Sequence, residues 1–361
     1  MKSSSILFFV CVFLTSAAQT SSAQNVAVGN CRPHLVSYTT ISAAVAAATP
    51  NSTVVVCPGT YPEQVTITQP LTLRGLSLGA GSNPVITVPS GGLVGDPVQV
   101  SVQGDDSVPF GPVDISDLVV DGAGAVVDCS TATLTGIEYV DASGTLANLL
   151  VRNQKPGGCG VGISLQGSDF IVDTVKVRNS RVDNFDNTGI LATSNGVTGF
   201  LVDLTANSVA STSTTVQSGI DYEFTDGTAA WNTILVSSGT GLDLDNFFAG
   251  MTARGNIIVG ATIGISSGLS EGPTQTMISS NTLLHNGTGI RINGFGGSPV
   301  VTRNNIIQSS IAAIDFDCSA EATAEYNTIF DAPVGIANLT SGDTVTANTF
   351  YVVPSRTTSC P

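Results

Sequence analysis

The chain has 361 residues with only 11% charged side chains, a formal charge of −15 and a mean hydropathy of +0.31. Setting Lys2 aside with the first 23 residues leaves 11 basic against 27 acidic residues, a net charge of −16. That balance disfavours nucleic acid and anionic membrane surfaces, where binding depends on Lys and Arg neutralising phosphates. Beyond residue 23 the apolar residues are broken every few positions by Thr, Ser, Asn and Gly, so no later stretch is long enough to span a bilayer.

Residues 1–23 read as a secretory signal peptide: Lys2, an apolar run from Ile6 to Leu14, and small residues at Ser21-Ser22-Ala23. The expected location is therefore secreted, whether extracellular, periplasmic or cell-wall associated. Cys11 falls in that segment and leaves six cysteines, an even count that reads as disulfides in an oxidising compartment. Sequence does not fix their connectivity. The preferred set is Cys31 with Cys57, Cys129 with Cys159 and Cys318 with Cys360, each joining neighbouring turns of the chain or tying down an end. No paired CxxC spacing and only two His argue against a metal held by these residues.

Residues 24–50 form an N-terminal cap. It holds the one convincing helix, 39–48, which is rich in Ala, has Thr39 or Thr40 as N-cap, and is stopped by Pro50. Residues 51–353 are organised by two interleaved phrases. One is an Asn followed by apolar residues, at Asn232, Asn256, Asn281, Asn305, Asn327 and Asn348, with spacings of 24, 25, 24, 22 and 21 residues. Asp117, Asn148, Asn179 and Asn207 extend it backwards. The other is a small residue before an aliphatic one, from Gly136-Ile137 to Gly335-Ile336, at spacings of 22 to 30.

Two phrases sharing one period, with short Val/Ile/Thr-rich alternating runs between turn residues, predict a solenoid of strands. The fold class is all-β: a right-handed parallel β-helix of about a dozen coils, capped by the short helix, with 354–361 as a C-terminal tail. Asn is expected at a tight left-handed corner, its side chains bonding up the stack, and the Gly phrase is expected to mark a second corner.

The opening coil carries Cys57-Pro-Gly-Thr-Tyr-Pro-Glu63, then Val65-Thr-Ile67 and Leu71-Thr-Leu-Arg-Gly75. This run resembles the start of right-handed parallel β-helix proteins of the pectin lyase-like superfamily, and Gly59, Tyr61 and Glu63 match the Gly-x-Tyr-x-Glu of pectin methylesterases. The resemblance implies carbohydrate as ligand, an extended polysaccharide suiting a long solenoid face. The catalytic motifs of polygalacturonases, pectin methylesterases, pectate lyases and alginate epimerases are not matched. Asp169-Phe-Ile-Val and Arg291-Ile-Asn293 are partial echoes.

Strand alternation sends Ile220, Tyr222, Leu242 and Leu244 inward, so Asp221, Glu223, Asp243 and Asp245 face out on two adjacent coils. Asp243 and Asp245 should lie about 6.5–7 Å apart, near the separation an inverting glycosidase uses to seat a water between acid and base. Three readings of this quartet stand: catalytic carboxylates, a calcium site, or a solvated acidic surface. Arg291, Asn293, Asp315 and Asp317 follow on later coils as candidate substrate contacts. Tyr139, Tyr222, Phe224, Phe247 and Phe248 are candidate sugar-stacking rings. Asn51, Asn286 and Asn338 match the glycosylation sequon, and His34 and His285 read as surface residues. No cofactor is implied beyond calcium. The expected protein is a monomer that binds extracellular or cell-wall polysaccharide, the alternative being a glycoside hydrolase or related pectin lyase-like enzyme using the acidic quartet.

Overall fold

A computed structural model describes residues 24–361 except 78, 80, 105–109, 169–172, 196–199, 246–249, 269–275, 295–297 and 319–320. The predicted signal peptide, Asp169-Phe-Ile-Val, Phe247 and Phe248 therefore lie outside the described residues. Each coil contributes one strand to each of three sheets of 14, 12 and 12 strands, all paired in parallel. One coil shows the path: Thr174–Arg178 in the first sheet, Arg181–Asp183 in the second, Thr188–Ser194 in the third, then Leu201–Thr205 back in the first. The coils of this right-handed β-helix stack in register, Ile163 on Ile190 on Ile220 on Leu242. These side chains are fully buried.

The cap helix spans Ile41–Ala47, with Thr40 as its N-cap accepting from the Ala43 N–H. Glu63 reaches across to it: its carboxylate accepts from the backbone N–H groups of Ile41 at 2.8 Å and Ser42 at 2.9 Å. The negative charge sits where the orphan amides and positive end of the helix dipole favour it. Tyr61 donates to the Cys57 carbonyl at 2.8 Å. The Gly-x-Tyr-x-Glu phrase is thus a fastening between lid and first coil. Cys31–Cys57, Cys129–Cys159 and Cys318–Cys360 are all formed. Both ends join the solenoid more closely than the sequence suggests. Val26–Val28 pairs with Ser52–Val56, and Ser355–Ser359, read as tail, pairs with Val334–Leu339.

Two details of the repeat are corrected. The left-handed backbone belongs not to the later Asn residues but to the residue before each: Ala206, Trp231, Arg303 and Tyr326 have φ of 57°, 59°, 55° and 56°. The Asn that follows turns inward. Asn256 donates to the Ala229 carbonyl and to Asn281 Oδ1, each at 2.9 Å, while its own Oδ1 accepts from the Asn232 backbone N–H at 2.9 Å and from Asn232 Nδ2 at 3.1 Å. The pattern repeats at Asn207, Asn281, Asn304 and Asn327. The rung after Asn281 is Asn304, not Asn305, which is exposed. In earlier coils Asn148 and Asn179 are themselves the left-handed corner residues, with φ of 55° and 50°, and Ser180 holds the inward place.

The Gly phrase marks a close approach within a strand and not a corner. A Cβ on Gly241 would meet the Gly264 carbonyl oxygen at 2.7 Å and Ile258 Cγ2 at 2.4 Å. Asn286, a sequon residue, is buried and hydrogen-bonded to the Ile258 carbonyl and the Ala261 N–H, which leaves no amide free for a glycan. Asn338 leaves the inward column by taking a left-handed φ of 59°.

Asn256→Ala strips bonds from two coils and leaves buried donors and acceptors unmet, so it should cost about 2–4 kcal/mol. Asn305→Ala should be nearly neutral. Urea unfolding of both variants checks this, and equal losses would show that the ladder does not run through residue 256.

Candidate functional site

The sequence Ser218-Gly-Ile-Asp-Tyr-Glu223 forms a strand of the third sheet, and Thr240-Gly-Leu-Asp-Leu-Asp245 forms the next. Tyr222 and Leu244 pack in the core. Parallel pairing then sets Asp221 opposite Asp243 and Glu223 opposite Asp245, about 4.8 Å per coil. The four carboxylates line a cleft of roughly 390 Å³ together with Gln217, Ser218, Ser266 and Asn293. Gly268 keeps it open, since a Cβ there would lie 2.6 Å from Asp245 Oδ1. Asn293 Oδ1 is buried with no hydrogen-bond partner among the described residues.

Burial in the cleft wall shifts the acids first, and like charges on neighbouring positions add to it for Asp221 and Asp243. Burial first, then Asp243 and Glu223, push Asp221 up to about 7, against a hydrogen bond from Ser218. Burial lifts Asp243 to about 6, opposed by hydrogen bonds to Ser266 and the Leu244 amide and helped by Asp245 and Glu223. Burial also raises Asp245. Three neighbouring carboxyl groups of the cleft, Asp221, Asp243 and Asp245, thus have raised proton affinity.

The candidate substrate contacts do not act as one group. Asn293 lines the cleft. Arg291 and Asp315 face each other across coils at 3.9 Å, a long and partly buried pair. Asp315 is further engaged by Asn338 Nδ2 at 2.7 Å and the Asp317 N–H at 3.1 Å. Asp317 lies past the strand end, exposed, with φ of 46°, so the expected outward pair Asp315/Asp317 is not formed on one strand. Tyr139 and Tyr222 are fully buried core residues and do not reach a ligand.

Glu138 is not among the candidates that the sequence displays. Three coils earlier on the same face, it lies with Asp96, Thr135, Ser164 and Gln166 around a smaller cleft of roughly 280 Å³. Gln166 Nε2 donates to it at 3.1 Å, and burial raises its pKa. The signal was present: Glu138 follows Gly136-Ile137, the outward place in the phrase. Among the described residues, no group of three or more His, Cys, Asp or Glu is arranged to hold a metal ion.

Three parallel sheets wound into one coil stack, with polar clefts along an outward face, define a right-handed parallel β-helix protein of pectin lyase-like fold. The chain belongs to the right-handed β-helix family, whose model, described as a right handed beta helix region, matches residues 161–350. No curated protein matches it in sequence. Among solved structures it is similar to a GH136 lacto-N-biosidase from Eubacterium ramulus, at 10% identity and a TM-score of 0.56, covering 94% of this chain and 68% of that one. It is also similar to PfbA, a surface adhesin of Streptococcus pneumoniae, at 13% identity and a TM-score of 0.53, covering 85% of each chain. At these identities the likeness concerns the fold.

Asp221 and Asp243 have folded pKa values above the ordinary 3.8. The folded chain therefore holds protons that the unfolded chain releases, so their contribution to stability is fully present below about pH 4 and is lost as pH rises through 6 and 7. Asp221→Asn should stabilise the protein at pH 8 by about 1–3 kcal/mol and change little at pH 4. Thermal unfolding at the two pH values reads this, and an equal shift at both would rule out the buried charge on Asp221 as the cause.

Proposed function

We propose that this is a secreted protein that binds an extracellular or cell-wall polysaccharide, with a neutral chain lying along the outward face of the third sheet. The observation that carries this reading is the chemistry of the acidic cleft. Carboxylates, amides and hydroxyls from Gln217 to Asn293 converge there, with an unmet acceptor on Asn293. Such a wall of acceptors suits sugar hydroxyl donors, and its negative charge turns away uronate chains. The Glu138 cleft on the same face extends the contact, as a long polymer requires. Three disulfides suit an oxidising exterior. Among the described residues no helix is long and apolar enough to cross a membrane.

A second reading, glycoside hydrolysis, is favoured by one specific observation: Asp221, pushed up to about 7, stands beside Asp245 and Glu223. A carboxyl that keeps its proton near neutral pH can protonate a glycosidic oxygen, while an ionised neighbour takes a proton from an attacking water. The roles would be Asp221 as acid and Asp245 or Glu223 as base, with Asp243 holding Asp221 in its protonated form.

A panel of plant, algal and bacterial polysaccharides, with calcium and with chelator, separates the readings. Wild type should retain a neutral polymer in affinity electrophoresis, and Asp243→Asn/Asp245→Asn should weaken retention at least tenfold. Release of reducing ends by wild type and not by the double variant would establish the hydrolase. Absence of both binding and release on every polymer would sink both readings.

A further inference from the structure

We infer that the outward face of the first sheet carries a second binding site, for a saccharide bearing an anionic substituent, built by Lys176, Arg178, Arg254 and Trp231. Residues 24–361 hold 11 basic side chains. Four are in ion pairs with carboxylates, and Arg303 and Arg356 lie over the rings of Tyr326 and Phe350. Of the five that remain, three line one trough of roughly 470 Å³. None of the three has an ion-pair or side-chain hydrogen-bond partner among the described residues. Asp203, in register beside Lys176, is the one carboxylate in the lining. In a chain this acidic, such a cluster is a local inversion of charge.

The geometry spaces the cations. Arg178, Thr205, Ala230 and Arg254 stack in one column, each paired with the next. The two guanidinium-bearing positions are thus three coils apart, about 14 Å, and the small residues between them leave the floor open. Trp231, the sole Trp, follows Ala230 at the left-handed corner and is 59% exposed. Its ring rests on Gly255 of the next coil, where an added Cβ would lie 2.4 Å from two ring carbons. The ring is therefore backed by the next coil at Gly255 while most of it stays exposed.

A flat aromatic face takes the C–H side of a pyranose ring, and Arg forks grip two oxygens of one oxyanion. Carboxylate and sulfate substituents share that chemistry. A long nucleic acid is disfavoured, because three cations release few counterions. The trough lies on a different sheet from the acidic cleft, so its occupancy is independent of the function proposed above.

Trp231 makes the test direct. Full-length protein is titrated at low salt with a galacturonate oligomer, a sulfated oligosaccharide of heparin type and a neutral cello-oligomer, reading intrinsic fluorescence. The expected result is a saturable change with one or both anionic sugars, none with the neutral one, and at least tenfold weaker binding at high salt. Arg178→Ala/Arg254→Ala should weaken it at least tenfold with unchanged circular dichroism, whereas Asp243→Asn/Asp245→Asn should not. No saturable change with either anionic sugar, or a change undiminished in the arginine variant, would overturn the site. So would concentration-dependent self-association abolished by that variant, which would assign the trough to a second copy of the chain.

Discussion

In-register parallel pairing between successive coils is the constraint on which the rest of this molecule depends. Every backbone N–H and C=O in a strand finds its partner one coil up or down, so side chains at equivalent positions must share a column. Apolar columns become the core, as Ile163 through Leu242 show. Where a column must be polar and buried, its members satisfy one another, and the Asn ladder does this with amides that both donate and accept at every step. The glycines before the inward Ile residues belong to the same logic, because the coil backbones pass too close there for a Cβ.

The same stacking brings like charges together. Asp221 cannot leave Asp243, since moving one coil's strand by a residue would turn Ile220 and Tyr222 out of the core. The core thus holds the acids in place, and their burial, with their mutual repulsion added, appears as raised proton affinity. On the first sheet the identical rule spaces Arg178 from Arg254 with small residues between.

What the sequence displays well is whatever recurs. The solenoid, its inward columns and the acidic quartet on adjacent coils can be read from spacing and alternation, whereas for the cysteines spacing gives a preferred pairing and not a fixed one. Failures occur where two neighbouring positions share a residue preference. Asn suits both the left-handed corner and the buried ladder, so Asn179 and Asn207 look like one phrase although they occupy adjacent places in the coil. Asn305 beside Asn304 is the same ambiguity. Glu138 and the Trp231 trough escape for another reason: their partners, Gln166 and Arg178, are a coil or more away in sequence, and no short motif marks them.

Because contacts run almost wholly between neighbouring coils, a coil also acts as a unit of length. The Glu138 cleft lies three such units from Asp221, and the two arginines of the trough are likewise three apart. Duplication or loss of one whole coil between two sites would lengthen or shorten their separation by about 4.8 Å while preserving the kind of contact made at every junction. The distance between binding positions on this rod can therefore be altered in fixed steps, much as the spacing of marks on a ruler, without redesign of the positions themselves.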